Sequence, residues 1–509
     1  MTEKKISVEE LATFCKKKGF VFKAAEIYGG LAGFFDLGPL GFELNDNLKN
    51  SYKNFFILKR EDMFPQNGSI ITNPKVWKAS GHVDNFADLI LTTKESKTKL
   101  RADHFIEDTL KIPGDSLTAN DINKLVKENN LKYKGEEFEE VKDFNLMFST
   151  QVGADTSKNA TAYLRPETCQ SIFPNFKLIA DSSRAKLPFG IIQIGKAFRN
   201  EISPRDFVFR SREFEQMEME YFFNPETKCE QLSKKELETK FKFLSSENQD
   251  KDSDEMIEIS IKDLIKKKKL NDYHGYWLAQ FYNWFVEELK FSKDNLRIRE
   301  HTSTELSHYS KGTFDIDYNF PFGFKEMLGM ANRSDFDLKQ HQTHSKSKLE
   351  FFDEETKTKL LPHVIEPSLG VERFMMATIY EAYNNDEKRG NIVLNFPFKL
   401  APTKVAVFPL MNKPELTSLA RQIYDELIEE EIQVVYDKSG SIGKRYARQD
   451  EVGTPFCLTI DYEAIEEGKD KGTITIRDRN TTEQKRIPIE TASGLILSLI
   501  KGKIEFKDL

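Results

Sequence analysis

Cysteine is scarce. The 509 residues hold four, Cys15, Cys169, Cys229 and Cys457, far apart and with no CxxC pair. That excludes a zinc ribbon and offers nothing from which to build a disulfide framework. No run of 18 apolar residues occurs, so no membrane-spanning helix is predicted. The start, "MTEKKISVEELATF", has no apolar stretch of the signal-peptide kind, and "SVEE" reads as a helix capping box. Repeats of the kind that build solenoids are absent. Positive charge is not in excess: the net charge of −7 argues against a protein that coats nucleic acid nonspecifically, while leaving room for a local basic surface. These absences predict a soluble protein of a reducing compartment, the cytoplasm. What is present is apolar bulk and charge: 12% aromatic residues, 41 of them Phe, and 31% charged. A large core follows and general disorder is excluded. The length suggests more than one domain.

Along the chain, residues 7–19 read as a short amphipathic helix, and Gly38-Pro39 suits the start of a longer one. Polar, helical patterning from about 104 to 143 reads as an insertion, as does a stretch from about 224 to 295 containing "SSENQDKDSDEM" and "KDLIKKKKL". Between and after them lie β-like segments. Beyond "NIVLNFPFKLAPTK" the pattern becomes strand–helix–strand ("KVAVFPL", "PELTSLARQIYDELIEEE", "IQVVYD"), ending in a helix at "ETASGLILSLIKG". This predicts an α/β module over residues 399–509, with a boundary near 398.

Two constellations carry chemistry. "PFGIIQIGK" reads as a buried strand that ends in Arg199 and Glu201. The next strand, "SREFEQMEMEYFF", puts Phe214, Gln216, Glu218 and Glu220 on one face and Met217, Met219, Tyr221 and Phe223 on the other. The bland reading is an ordinary half-solvated strand. The chemical one is a hairpin in which Arg199, Arg210 and Arg212 meet phosphate while Phe214 stacks on a base. In "EPSLGVERFMM", Gly370 permits close backbone approach and Arg373 sits just inside an apolar helix. Taken alone, Arg373 reads equally as a helix-start ion pair.

Arg199-Asn-Glu201 with Arg210-xxx-Phe214 resembles motif 2 of the class II aminoacyl-tRNA synthetases, and Gly370-Val-Glu-Arg373 resembles their motif 3. The strings "YGGLAGFFDLGPLG", "ASGHVDNFADL", "LRPETCQSIF", "FRNEISPRD", "GMANRSDFDLKQH", "EPSLGVERF" and "SGSIGKRYARQDEVGTPFC" together resemble the homodimeric glycyl-tRNA synthetases over roughly residues 5–500. Motif 1 departs: its dimer-forming helix would start after Gly38-Pro39, but the proline that follows it is ambiguous, Pro65 being a candidate.

The resemblance implies an α+β fold: a class II antiparallel sheet flanked by helices over residues 1–398, then an anticodon-binding α/β domain. It implies ligation of glycine to tRNA through a glycyl-adenylate, with ATP as substrate, Mg²⁺, and no zinc. Arg199 and Arg373 would be the catalytic arginines. ATP would lie along Arg199, Asn200, Glu201, Phe209, Arg210, Ser211, Arg212, Glu213, Phe214, Glu326, Met327, Gly370, Val371, Glu372 and Arg373, with Glu326 the magnesium-side carboxylate. Glycine would meet Arg101, Glu167, Phe214, Glu215, Gln216, Met217, Glu218, Glu366, Pro367, Ser368, Leu369 and Gly370. Glu167, Glu218 and Glu366 would hold its ammonium, with Ser368 closing the pocket. No amino acid is smaller than glycine, so no editing domain is expected.

Three weaker features stand apart. His341-x-x-His344 reads as a surface loop, Lys266 to Lys269 as a solvated helix end, and the loop from Gly440 to Arg445 as an RNA-facing segment of the C-terminal module rather than a P-loop. The rival readings are a class II synthetase for threonine or proline, and a non-catalytic paralogue that binds nucleic acid. The three carboxylates tell against the first, and the presence of Arg199, Arg210 and Arg373 against the second.

Overall fold

The structure, a computed structural model, describes residues 6–112, 114, 117–154, 161–307 and 309–509; residues 1–5 of the polar start lie outside them. Its centre is a nine-stranded sheet built from β1 (Met63–Gln66), β2 (Phe189–Phe198), β3 (Glu213–Phe223), β4 (Lys240–Leu244), β5 (Ile257–Ser260), β6 (Leu296–Glu300), β7 (Thr313–Phe320), β8 (Gly323–Ser334) and β9 (His363–Gly370). The strand order is β5-β4-β6-β7-β8-β9-β3-β2-β1. The long central pairs β7–β8, β8–β9, β9–β3 and β3–β2 are all antiparallel.

Alternation along β3 sets the two faces of the sheet. Met217, Met219, Tyr221 and Phe223 are buried in the main apolar core. Against that face pack α1 (Pro39–Lys53), α2 (Asp272–Asn283) and α3 (Val371–Ala382). Helix α1 starts with Pro39 at its first turn behind Gly38, where a missing N–H costs nothing. At the N-terminus, Ser7 and Glu10 close the expected capping box on the helix Val8–Lys18. The opposite face of β3 is not half-solvated: Gln216, Glu218 and Glu220 are all buried.

The stretch 224–295 differs from its reading as an insertion. β4 and β5 extend the main sheet at its edge, and α2 supplies Trp277 to the main core, with Trp284 in the turn that follows. The charged loop "SSENQDKDSDEM" disguised strands whose inner residues, Phe241, Phe243 and Ile259, are buried. The stretch 104–143 does form a subsidiary unit, but a larger one. Strands Ala87–Thr92, Lys99–Arg101 and Lys142–Asn145 pair with each other, over a small core including Leu91, Ile106, Ile122 and Phe138.

Residues 405–488 carry a second sheet of β10 (Val405–Pro409), β11 (Val434–Tyr436), β12 (Phe456–Ile460), β13 (Thr473–Asp478) and β14 (Gln484–Pro488), in the order β11-β10-β12-β13-β14. It has its own apolar core, from Val405 to Phe506. It is also tied to the rest of the chain: Arg389 donates to the Arg479 and Asn480 carbonyls at 2.7 and 2.8 Å, and Arg479 donates to the Phe396 carbonyl at 2.7 Å.

The weaker sequence readings shift here. His341 is no loop residue: it lies on the helix Phe336–Ser345, buried, with Nε2 3.0 Å from Gln170 Oε1. Arg445 is turned inward, donating to the Pro409 and Leu410 carbonyls at 2.6 and 3.1 Å, which leaves Lys444 as the exposed cation of the loop from Gly440 to Arg445. Lys269 is held between Glu247 and Glu300, both at 2.8 Å.

Candidate active site

The polar face of β3, the end of β2, β8, β9 and the start of α3 enclose one cleft. Arg199, Glu201, Phe209, Arg210, Ser211, Phe214, Gln216, Glu326, Ser368, Gly370, Glu372 and Arg373 line it. Pairing fixes their order. Antiparallel register sets Phe214 opposite Ala197, and on the other side Gln216 opposite Gly370 and Glu218 opposite Ser368. Side chains on one face of neighbouring strands therefore run from Phe214 at the mouth to Glu218 and beyond.

The mouth is cationic and aromatic. The Arg199 guanidinium lies 5.4 Å from the Phe214 ring centre and 5.6 Å from that of Phe86, and among the described residues its hydrogen bond runs from Nε to the Pro166 carbonyl. Arg210 Nε donates to Glu201 at 2.7 Å. Arg373 stands 4.4 Å over the Phe209 ring, donates to the Phe209 carbonyl and is 3.3 Å from a Glu326 carboxylate oxygen. The loop between β2 and β3 holds Asp206 and Phe207 at φ of 58° and 59°, left-handed backbone that a bulky residue adopts only when its surroundings enforce it.

Behind Gln216 and Ser368, at the inner end of the lining, the site is acidic. Glu218 is buried, one oxygen accepting from the Thr168 and Cys169 N–H groups at 2.8 and 2.7 Å, the other from Gln216 at 2.9 Å and Ser368 at 2.7 Å. Glu167 faces His82 at 3.3 Å and accepts from the Cys169 thiol at 2.9 Å. Burial works against its charge, yet His82, Arg333 and the thiol hold Glu167 below the usual carboxylate range. Glu366 receives both its hydrogen bonds from Arg333, at 2.8 and 3.0 Å, and burial pushes it up to about 7 despite that arginine.

Arg333 is the residue that sequence reading missed. Fully buried, it also holds Asp337 through two further bonds at 2.7 and 2.8 Å, and stacks 3.8 Å over Tyr309. Its signal was present in "GMANRSDFD": Arg333 and Asp337, four apart at the end of a strand entering a helix. His82, in "ASGHVDNF", was missed in the same way.

Several proposed contacts turn elsewhere. Glu213 pairs with Lys196 at 3.4 Å and Glu215 with Lys49 at 3.3 Å, on the far face of β3 from Phe214. Met217, Met327, Leu369 and Val371 are side chains of the main core, and Pro367 is buried. Arg212 clamps the backbone at the Glu201 and Ala32 carbonyls. Asn200 is held by its N–H at the Leu146 carbonyl. Arg101 is tied to Asp103 at 2.6 Å and to Asp88 at 3.4 Å; Asp88 in turn lies 3.9 Å from Arg210, which places Arg101 beyond the lining, behind the mouth. Any part these play at the cleft falls to their backbone or to a neighbour.

Residues 152–383 match the tRNA synthetase class II core domain (G, H, P, S and T), and residues 404–499 match an anticodon binding domain. The chain is 42% identical over 504 residues to the glycine–tRNA ligase of Borreliella burgdorferi, covering 98% of both. It belongs to the glycine–tRNA ligase family. Other members lie at similar distance: the glycine–tRNA ligase of Caldanaerobacter subterraneus is 41% identical over 98% of this chain and 99% of its own, and that of Mycoplasmopsis synoviae 41% over 94% and 96%. The class II core and the antiparallel-rich sheet agree with the α+β fold expected above.

Proposed function

We propose that this cleft joins glycine to ATP, forming glycyl-adenylate and pyrophosphate, and then passes the glycyl group to the 3′ end of a glycine tRNA. One observation carries the reading: Glu218, held by the lining residues Gln216 and Ser368, stands with Glu167 and Glu366 behind a cleft whose mouth presents Arg199, Arg210 and Arg373 around Phe214. Acids behind the inner end suit an ammonium; arginines and an aromatic at the mouth suit a nucleoside triphosphate. In this reading Arg199 bridges the glycine carboxylate and the ATP α-phosphate, Phe214 stacks on adenine, and Arg210 and Arg373 hold the γ-phosphate. Ser368, fixed on Glu218, leaves no room for a side chain. No group need become a covalent nucleophile; the residues position the two substrates and neutralise developing charge.

A magnesium ion fits the donor set at Glu326: that carboxylate and Asp315 both come within 3.6 Å of one point above Gly329, and all-oxygen donors suit a hard cation. When bound, the ion neutralises phosphate charge. Division of the chain into a catalytic unit (1–398) and an anticodon-binding unit (399–509) is supported by a second apolar core that begins at Val405, with Phe398, Leu400 and Ala401 at the join. A homodimer is supported by exposed apolar side chains at Ile27, Tyr28, Leu31, Phe42 and Leu58, near and on α1. Work in the cytoplasm is supported by four buried, unpaired cysteines.

Aminoacylation of total tRNA with each amino acid in turn tests the activity. Glycine alone is expected to be charged; threonine or proline charged in its place overturns the reading.

A further inference from the structure

Glu220 has no role in the reading above, yet it sits two residues beyond Glu218 on the same face of β3. The register that sets Glu218 opposite Ser368 and Tyr221 opposite Ile365 sets Glu220 directly opposite Glu366. Carboxylate oxygens of the two, and the Cys169 sulfur, all lie within 4.8 Å of one another. Glu220 is 0% exposed, and neither of its oxygens finds a hydrogen-bond partner among the described residues.

Two ionised carboxylates cannot face each other across a dry ladder without donors. Glu366 has its donor in Arg333; Glu220 has none. The groups around Glu220 offer no compensation. Glu218 lies on its own strand, Glu366 on β9, Arg333 on β8, Asp337 on the helix that follows β8, and Cys169 with Glu167 on the loop before residue 170. Among these Arg333 is the one cation, already shared between Glu366 and Asp337. Burial first, and then the charge of Glu366, hold the Glu220 acid well above the usual range.

We propose that Glu220 is a neutral positioning residue: it keeps its proton, offers it to the Glu366 carboxylate, and so makes the opposed pair a single negative charge facing the ammonium site. A protonated acid has one hydrogen to give, and the carboxylate opposite it, within 4.8 Å, is the charged acceptor to which a small side-chain turn would bring it. The pair then carries the charge that one ammonium needs, without the repulsion of a second. This rests on glycine being the substrate.

The test joins kinetics with a measurement that needs no glycine. In glycine-dependent pyrophosphate exchange, Glu220→Met, which has no donor, is expected to raise the glycine KM at least about tenfold while moving kcat and the ATP KM less than about threefold. Glu220→Gln, whose amide donates without charge, is expected to recover most of that loss. If Gln is as impaired as Met, or if Met leaves the glycine KM in place, the proposal is overturned. The infrared spectrum of the full-length protein without glycine, at neutral pH, is expected to contain the carbonyl stretch of a dry, protonated carboxylic acid that Glu220→Gln removes. Identical spectra for the two proteins overturn the proposal whatever the kinetics, and whether or not the Met variant folds. Loss of glycine specificity with that band intact would instead count against the substrate reading.

Discussion

Among the described residues Arg199 is anchored by a hydrogen bond from Nε to a backbone carbonyl, with its guanidinium 5.4 and 5.6 Å from the Phe214 and Phe86 ring centres at the mouth of the cleft. A guanidinium so held has its donors free for a developing negative charge, and loses little else when removed. Arg199→Ala is therefore expected to fold normally, by circular dichroism, and to lose at least about a hundredfold in pyrophosphate exchange, roughly 2.7 kcal/mol; a loss under about threefold takes Arg199 out of the chemistry. Glu366 makes a second prediction at this scale. Its acid is raised from 4.5 to about 7 by burial, so the empty folded state holds a proton that the unfolded chain releases. Between those values a rise in pH costs stability. An ammonium reverses the preference, favouring the ionised form. The glycine KM at saturating ATP is thus expected to climb as pH falls through about 7, approaching tenfold per unit, whereas above that pH it levels until glycine's own amine titrates. A glycine KM flat from about pH 6 to 8 would show that Glu366 does not face the ammonium.

At the scale of elements, α2 decides how the stretch after β3 is understood. Trp277 is fully buried, its ring 4.8 Å from that of Tyr221 on β3, and the Arg60 guanidinium lies 4.7 Å from its ring centre. Trp277→Ala is expected to destabilise the fold by about 3–5 kcal/mol, read as a lower Tm, because a packed interior cannot close so large a hole. A detachable insertion would tolerate the change. Nothing local in the sequence announced this. The two strands before α2 are short, polar on one face (Lys240 and Lys242 in the first, Glu258 and Ser260 in the second) and separated by a charged loop, and it is partners far along the chain that make them part of the sheet. β3 and the start of α3 were legible because their information is local: alternation in "FEQMEMEYF" and a glycine followed by an apolar helix. The contacts of Arg333 were not, since Glu366 lies 33 residues away and only the β8–β9 register brings the two together. Glu213, Glu215 and Met217 are a different case: a contiguous motif named them, although the local alternation that sets Met217 apart from Phe214 already turns their side chains to the other face.

At the scale of the whole molecule, the question is how far the C-terminal unit is needed by the cleft. Its sheet is its own and a separate core runs from Val405 to Phe506, although Leu400 and Ala401 are buried in the main core; no residue from 399 to 509 lines the cleft. Glycine activation should not need it, while recognition of the tRNA should. The contacts between the units, however, are mutual. Arg389 spends its terminal nitrogens on the Arg479 and Asn480 carbonyls, Phe396 accepts from Arg479, and Lys18 pairs with Glu451. A chain ending at residue 398 leaves the Arg389 guanidinium and the Phe396 carbonyl without those partners, at a cost for every polar group that stays buried. The truncated protein is therefore expected to melt at a lower temperature than the full chain and yet to form glycyl-adenylate within about tenfold of its rate. Charging of glycine tRNA should fall much further, by about a hundredfold or more, because the binding energy supplied by contacts distant from the reacting atoms is gone. The two activities are measured on the same preparation, below its own melting transition. If both fall by the same factor, the unit formed by residues 399–509 supports the cleft itself, and the division of labour between the two units fails.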